Sequence, residues 1–287
     1  MIIMSKLKVA VQKGGRLSEK SINLLRNCGI KVSNRGKLRS EATNFPLEVL
    51  YLRDDDIPQY VADGVADVGI VGENVVKEKG RSVEIAERLG FAKCRLSLAV
   101  RRELNYEGLD WFNGKRIATS YPNIMKNFLL ANSINAEIEE ISGSVEIAPS
   151  IGLADAVCDI VSTGSTLLAN GLKEVELVDK SEALMIRTAD LSADKMELVE
   201  QLLFRIGAVN KAEKFKYILL NAPNDAIEKI SSLLPGMKSP TLLPLAQEGW
   251  SSLHSVVKED EFWEVIDKVK AAGAEGILVC PIEKMVN

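Results

Sequence analysis

Short apolar runs alternate with segments of helical period along the first two thirds of the chain. LKVAVQK, residues 7–13, has the pattern of a buried strand. RLSEKSINLLRNCG follows it with Leu17, Leu24, Leu25 and Cys28 on one helical face and Gly29 as a stop. LEVLYL is a second strand, DIPQYVADG a short helix with Pro58 in its first turn, and ADVGIVG a third strand leading into the helix ENVVKEKG. CRLSLAVRR predicts a long strand that carries the chain into a second lobe. There KRIATS, AEIEEIS and CDIVSTG read as strands, and YPNIMKNFLLAN, GSVEIAPSIGLA and STLLANG as helices. LKEVELVDKSEALMIRT reads as one or two strands returning to the first lobe, and a helical stretch from about Asp190 to Val209 follows as a spacer. Strand and helix in alternation predict parallel sheets with crossover helices, whose ligands bind in loops at the carboxyl ends of the strands.

The pattern then changes. FKYILLNAP, NDAIEKISSLLPG, TLLPLA, GWSSLHSVVK, EDEFWEVIDKVKAAG and GILVCPI give the order βαββαβ, that of a ferredoxin-like module, with Phe262, Val265, Ile266 and Val269 on the buried stripe of its last helix. The α/β chain therefore divides into residues 1–95 with 180–210 as one lobe, 96–179 as a second and 211–287 as a third domain. An appended module of that size suits regulation or assembly.

Composition excludes more than it selects. The 287 residues are 46% hydrophobic and 26% charged, as in ordinary globular proteins, and the net charge of −4 argues against a nucleic-acid binder. The amino-terminal stretch lacks the signature of a secretory peptide and no run reaches 18 apolar residues, so the expected location is the cytoplasm and no membrane is involved. Cys28, Cys94, Cys158 and Cys280 form no C-x-x-C pair and read as four buried thiols. His254 is the single histidine and lies in an alternating stretch, the position of a sheet residue, so the chemistry has to proceed without histidine-rich metal sites.

The strongest chemical signal is DIVSTGST. An apolar strand ends where Ser162, Thr163, Gly164, Ser165 and Thr166 begin, and a helix pattern starts at once. Free N–H groups, hydroxyls and a permissive glycine compose an anion cradle; the same residues would also serve as an ordinary helix cap. Asp155 and Asp159 stand upstream, suited to ligand hydroxyls or to a divalent cation, or else to solvent. VQKGGR places Lys13, Gly14, Gly15 and Arg16 between a strand and a helix, where cations meet phosphates. RDDDIP brings Arg53 and Asp54, VGEN brings Glu73 and Asn74, and ATSYP brings Ser120 and Tyr121 to further strand ends; SGSVE adds a second hydroxyl and glycine cluster. Together these positions describe a cleft between two lobes.

VQKGGRL, RDDDIP, DVGIVGEN, GKRIATSYP, SGSVE, GLADAVCDIVSTGSTL and CPIEKM resemble the ATP phosphoribosyltransferase family, in its long form, from about Leu7 to Met285. The resemblance implies two lobes like those of periplasmic binding proteins and a ferredoxin-like regulatory domain. It implies transfer of phosphoribosyl from phosphoribosyl pyrophosphate to N1 of ATP, with Mg²⁺ held mainly by the pyrophosphate, as the first step of histidine biosynthesis. By the same resemblance Asp155, Asp159 and Ser162 to Thr166 hold phosphoribosyl pyrophosphate, and Lys13, Gly14, Arg16, Arg53, Asp54, Glu73, Asn74 and Tyr121 line the cleft for ATP and pyrophosphate. Histidine, the feedback inhibitor, is implied at Asn221, Met237, Thr241 and Gly276 between neighbouring chains of a dimer or hexamer. Asn221 departs from relatives that carry aspartate there. A covalent intermediate is not required.

Two other readings stay open at this level. A solute-binding module also has two α/β lobes around a cleft, although the missing secretion signal and the third domain count against it. Other phosphoribosyltransferases usually carry two adjacent acidic residues before their T-G-x-T element, whereas Ile160 follows Asp159 here.

Overall fold

The computed structural model describes residues 6–32, 38–234 and 239–286. The chain forms two compact units, Met1–Glu200 and Gln201–Asn287. The first opens with β1 (Leu7–Gln12), α1 (Arg16–Asn27), β2 (Arg39–Glu41), β3 (Leu47–Leu52), α2 (Ile57–Ala62), β4 (Val68–Gly72), α3 (Glu73–Lys79) and β5 (Glu84–Arg88). It continues with β6 (Cys94–Arg101), β7 (Arg116–Thr119), α4 (Pro122–Ala131), β8 (Glu137–Glu140), β9 (Ala156–Val161), α5 (Ser165–Ala169), β10 (Leu172–Ser181), β11 (Ala183–Arg187) and α6 (Ala193–Ala212), inside which the division between units falls.

Two sheets result, in the orders β2-β3-β1-β4-β11-β5 and β10-β6-β9-β7-β8. β1 runs parallel to β3 and β4, and β7 parallel to β8 and β9. Their continuous apolar runs follow from burial on both faces: Val9, Ala10, Val11, Val49, Val68 and Val157 have no exposed surface. Helix α2 packs through Ile57 and Val61 against Val71, Leu184 and Ile186 in the first lobe, and α4 through Ile124, Met125 and Leu129 against Leu98, Ile117 and Cys158 in the second. The chain crosses between lobes after β5 and again at Glu182, where β10 of one sheet gives way to β11 of the other. No helix among the described residues is long and apolar enough to cross a membrane.

Two expectations need correction, and two strands went unpredicted. Residues 143–154 are not a helix but one 3₁₀ turn, Val145–Ile147, followed by turns: Ser144 sits at φ +51°, and Pro149 and Gly152 break any continuing period. β2 and β5 escape an alternation reading because both are short and mostly exposed, so their pairing with β3 and β11 decides their state. Only Cys28 and Cys158 are buried; Cys94 is half-buried, and Cys280 is exposed on an edge strand.

The second unit contains β12 (Phe215–Pro223), α7 (Ile227–Leu233), β13 (Thr241–Pro244), β14 (Trp250–Lys258), α8 (Glu259–Ala271) and β15 (Glu275–Pro281). Its antiparallel sheet has the order β13-β14-β12-β15, the ferredoxin-like arrangement. Ile218, Leu220, Ala222, Leu253 and Val257 meet Ile230, Phe262 and Val269 of the two helices in its core. Glu259, Asp260 and Glu261 in the first turn of α8, with Lys268 and Lys270 in its last, complement the helix dipole.

Candidate functional site

β9 and β7 are parallel, so Ser120 and Tyr121 emerge from the same sheet edge as Ser162. Gly164 precedes α5 at φ +81°, a left-handed conformation that glycine takes without penalty. No side chain caps α5. The Thr163 and Ser165 hydroxyl oxygens stand 3.0 Å apart and bond each other, and Ser162, Thr163, Ser165 and Thr166 are all exposed. The alternative of a simply capped helix therefore fails: the hydroxyls leave the N–H groups at its start without side-chain partners.

The loop is braced from behind. Arg95 on β6 forms a bidentate pair with Glu174 on β10, Glu174 also accepts from the Ser97 hydroxyl at 2.8 Å, and the Arg95 guanidinium donates to the Ser162 carbonyl at 3.3 Å. Glu174 is held below the usual carboxylate range by the hydrogen bond from Arg95, so the pair stays ionised near neutrality.

Asp159 and Asp155 separate. Asp159 is near the loop end of β9, and burial pushes its carboxyl above the usual range, against the Ile160 N–H that it accepts at 2.7 Å; Glu146 raises it further. Asp155 precedes the opposite end of the strand, where its carboxylate accepts from the Arg116 backbone N–H at 2.9 Å. Four residues along a strand span about 13 Å, so the structure does not bring Asp155 to the loop. Because folding raises the Asp159 pKa, the folded chain binds that proton more tightly than the unfolded chain. Its carboxylate therefore costs stability at pH 7, a cost that starts to decline as pH falls through the folded pKa and is gone below the unfolded pKa. Asp159→Asn is expected to raise the melting temperature at pH 7 while lowering activity, and the thermal gain should disappear in acid. A melting temperature lowered at pH 7 would contradict this.

The carboxyl edge of the first sheet collects the remaining candidates. The Lys13 N–H donates to the Leu52 carbonyl at 2.7 Å, which sets Lys13 beside Arg53; Arg16 begins α1 behind Gly14 and Gly15. All three cations are exposed, and among the described residues none has an ion-pair partner. Glu73, by contrast, is already committed: Arg88 holds both its oxygens at 2.9 Å and Lys77 lies 3.4 Å away. Asn74 is buried, its backbone N–H donates to the Ser181 hydroxyl at 3.1 Å, and its side-chain Oδ1 accepts from that hydroxyl at 2.8 Å. Gly72 makes room for this arrangement, since a Cβ there would stand 2.4 Å from the Asn74 oxygen.

Tyr121 draws the two edges together. Burial pushes its phenol well above the usual range, Asp159 of its own lobe and Asp54 of the other add to the rise, and the Asn74 side chain opposes it, so Tyr121 remains a neutral donor. A cavity of about 420 Å³ lined by Glu73, Arg88, Arg95, Ser162, Lys180 and Ser181 lies where the chain crosses between lobes. Arg88, Arg95 and Lys180 line this cavity but were not singled out in the sequence, because only strand register brings them to it. The available signal was their position at the ends of strands that cross between lobes.

In the second unit Gly276 faces Asn221, and a Cβ on Gly276 would stand 3.4 Å from the Asn221 amide nitrogen. Thr241 lies on β13 and Gly276 on β15, the two opposite edges of the sheet, so one chain does not unite them. Met237 lies outside the described residues. His254 is a sheet residue, with Nδ1 2.6 Å from the Tyr217 hydroxyl and Nε2 3.1 Å from that of Ser252.

Two α/β lobes thus bring to their sheet edges a hydroxyl and glycine loop and a row of cations that, among the described residues, have no ion-pair partner, an arrangement whose chemistry suits anionic ligands. The chain matches ATP phosphoribosyltransferase over residues 53–208 and HisG, C-terminal domain, over residues 212–284. It is 61% identical to the ATP phosphoribosyltransferase of Cytophaga hutchinsonii, over 98% of this chain and 99% of that one. Among solved structures it resembles the ATP phosphoribosyl transferase (HisG:HisZ) complex from Thermotoga maritima, with a TM-score of 0.60 and 28% identity, covering 70% of this chain and 98% of that one. The L-arginine-bound protein Tv2483 shares the fold alone, with a TM-score of 0.52 and 14% identity over 74% of this chain and 87% of that one. The chain belongs to the ATP phosphoribosyltransferase family, pentosyltransferases of the first step of histidine biosynthesis.

Proposed function

We propose that the chain joins phosphoribosyl pyrophosphate to N1 of ATP and that histidine inhibits it through the second unit. The uncapped loop at Ser162–Thr166 carries the reading: its N–H groups and hydroxyls suit the 5-phosphate, and Asp159, near the loop end of β9, suits the ribose hydroxyls. Lys13, Arg16 and Arg53 take the ATP phosphates or the departing pyrophosphate, with Tyr121 donating from the cleft. The adenine N1 lone pair attacks the anomeric carbon while the bond to pyrophosphate breaks and its electrons leave with the pyrophosphate oxygen. Positive charge develops on the sugar and negative charge on the leaving group, so the cations stabilise the transition state beyond the ground state.

The described residues contain no cluster of three or more His, Cys, Asp or Glu able to cage a metal ion. In this reading Mg²⁺ is carried by the substrate pyrophosphate, where it would supply counter-charge to the leaving group. Asn221 facing Gly276 at one sheet edge, with Thr241 at the other, fits an effector pocket completed by a neighbouring chain of a dimer or hexamer. Ultraviolet absorbance of the ATP adduct is expected to rise only with ATP, phosphoribosyl pyrophosphate and Mg²⁺ together, and to be suppressed by histidine. Adduct formation unchanged at saturating histidine, or no adduct at all, would refute the corresponding half of the proposal.

A further inference from the structure

Helix α4 begins in an unusual way. Its N-cap is Tyr121, which makes no side-chain cap, and its first residue is Pro122, which has no N–H. The Met125 N–H already donates to the Tyr121 carbonyl. The N–H groups of Asn123 and Ile124 therefore need acceptors, and both come from the other lobe: Glu78 of α3 accepts one with each carboxylate oxygen, at 3.0 Å. The Asn123 side chain returns a bond to the Glu78 carbonyl at 3.1 Å. Glu78 is 7% exposed, and among the described residues no cation pairs with it; the positive end of α4 compensates its charge.

Glu78 and Asn74 stand one turn apart on α3. The first holds the backbone that follows Tyr121, and the second lies at the Tyr121 hydroxyl while being fixed by Ser181. Capping supplied from the other lobe leaves position 121 free to be a tyrosine facing the cleft, where an N-cap serine or aspartate would turn inward to its own helix.

We propose that Glu78 is a positioning residue for the transfer reaction, which acts through the first turn of α4 to present Tyr121 to the nucleotide. The inference rests on the reading of Tyr121 as a cleft residue. A double-mutant cycle on the full chain tests it, with kcat/KM for ATP measured by adduct absorbance and phosphoribosyl pyrophosphate affinity by calorimetry. Tyr121→Phe and Glu78→Ala are each expected to lower kcat/KM by about tenfold, and the double variant by about twentyfold rather than a hundredfold. Phosphoribosyl pyrophosphate affinity should stay within about twofold of wild type, and Glu78→Gln, which keeps one acceptor, should recover most of the activity. If Glu78→Ala does not fold, Glu78→Asp takes its place in the cycle, keeping the charge but shortening its reach. Independent, multiplicative losses would overturn the positioning role while leaving Tyr121 in the cleft. A silent Tyr121→Phe would overturn the cleft reading itself, and the positioning role with it.

Discussion

Gly164→Val is expected to weaken phosphoribosyl pyrophosphate binding by about 100-fold, which is about 2.7 kcal/mol. Steric exclusion is not the reason, since a Cβ at this position would meet only the Val161 side chain, at an ordinary 3.9 Å. The backbone is the reason. At φ +81° an L-residue costs about 1–2 kcal/mol, and a β-branched one more, so the loop would relax to negative φ and turn its N–H groups away. Each donor lost to a charged phosphate removes a further 1.5–3 kcal/mol or so. The core beneath, with Val157, Val161 and Leu167 buried, is untouched, so the fold should persist by circular dichroism. Asparagine tolerates the left-handed region, and Gly164→Asn should retain binding within about tenfold of wild type. Wild-type affinity in the valine variant would remove the anion cradle from the mechanism.

The alternation of apolar runs and helical periods carried the architecture because strands such as β1, β3 and β4 are buried on both faces and punctuated by glycine or proline. Where burial is one-sided, the reading weakened: EIAER forms β5 only because β11 pairs with it. Segment 143–154 has helical spacing of apolar residues, yet Pro149 and two glycines prevent a helix. The site shows the same division. Ser162–Thr166 is legible because hydroxyls and glycine interrupt an apolar strand. Asp155 and Asp159 are grouped by sequence proximity and by the family resemblance alike, yet Asp155 precedes β9 and Asp159 stands near its loop end, about four strand residues away. The Arg95–Glu174 brace and the Glu78 cap join residues 79 and 45 positions apart, distances at which only register and packing decide contact.

Arg53→Ala is expected to lower kcat/KM by about 30-fold and to leave thermal stability unchanged within about 0.5 kcal/mol. The split follows from how the cations are arranged. Arg53, Lys13 and Arg16 are gathered by the parallel pairing of β1 with β3 and by the helix start after Gly15, and no carboxylate among the described residues neutralises them. Among the described residues the fold thus gains no ion pair from their charges, whereas Arg88 and Lys77 are each paired. In the proposed function a polyanionic ligand would supply the missing partner, and a charge-assisted, bidentate contact with phosphate gives about 1.5–3 kcal/mol. Arg53→Lys keeps the charge but loses the planar fork, so it should recover only part of the loss. Exposed cations also respond to screening: raising ionic strength should lower wild-type kcat/KM more steeply than that of Arg53→Ala. Activity of Arg53→Ala within twofold of wild type, with an unchanged salt response, would show that the row of cations does not meet the phosphates.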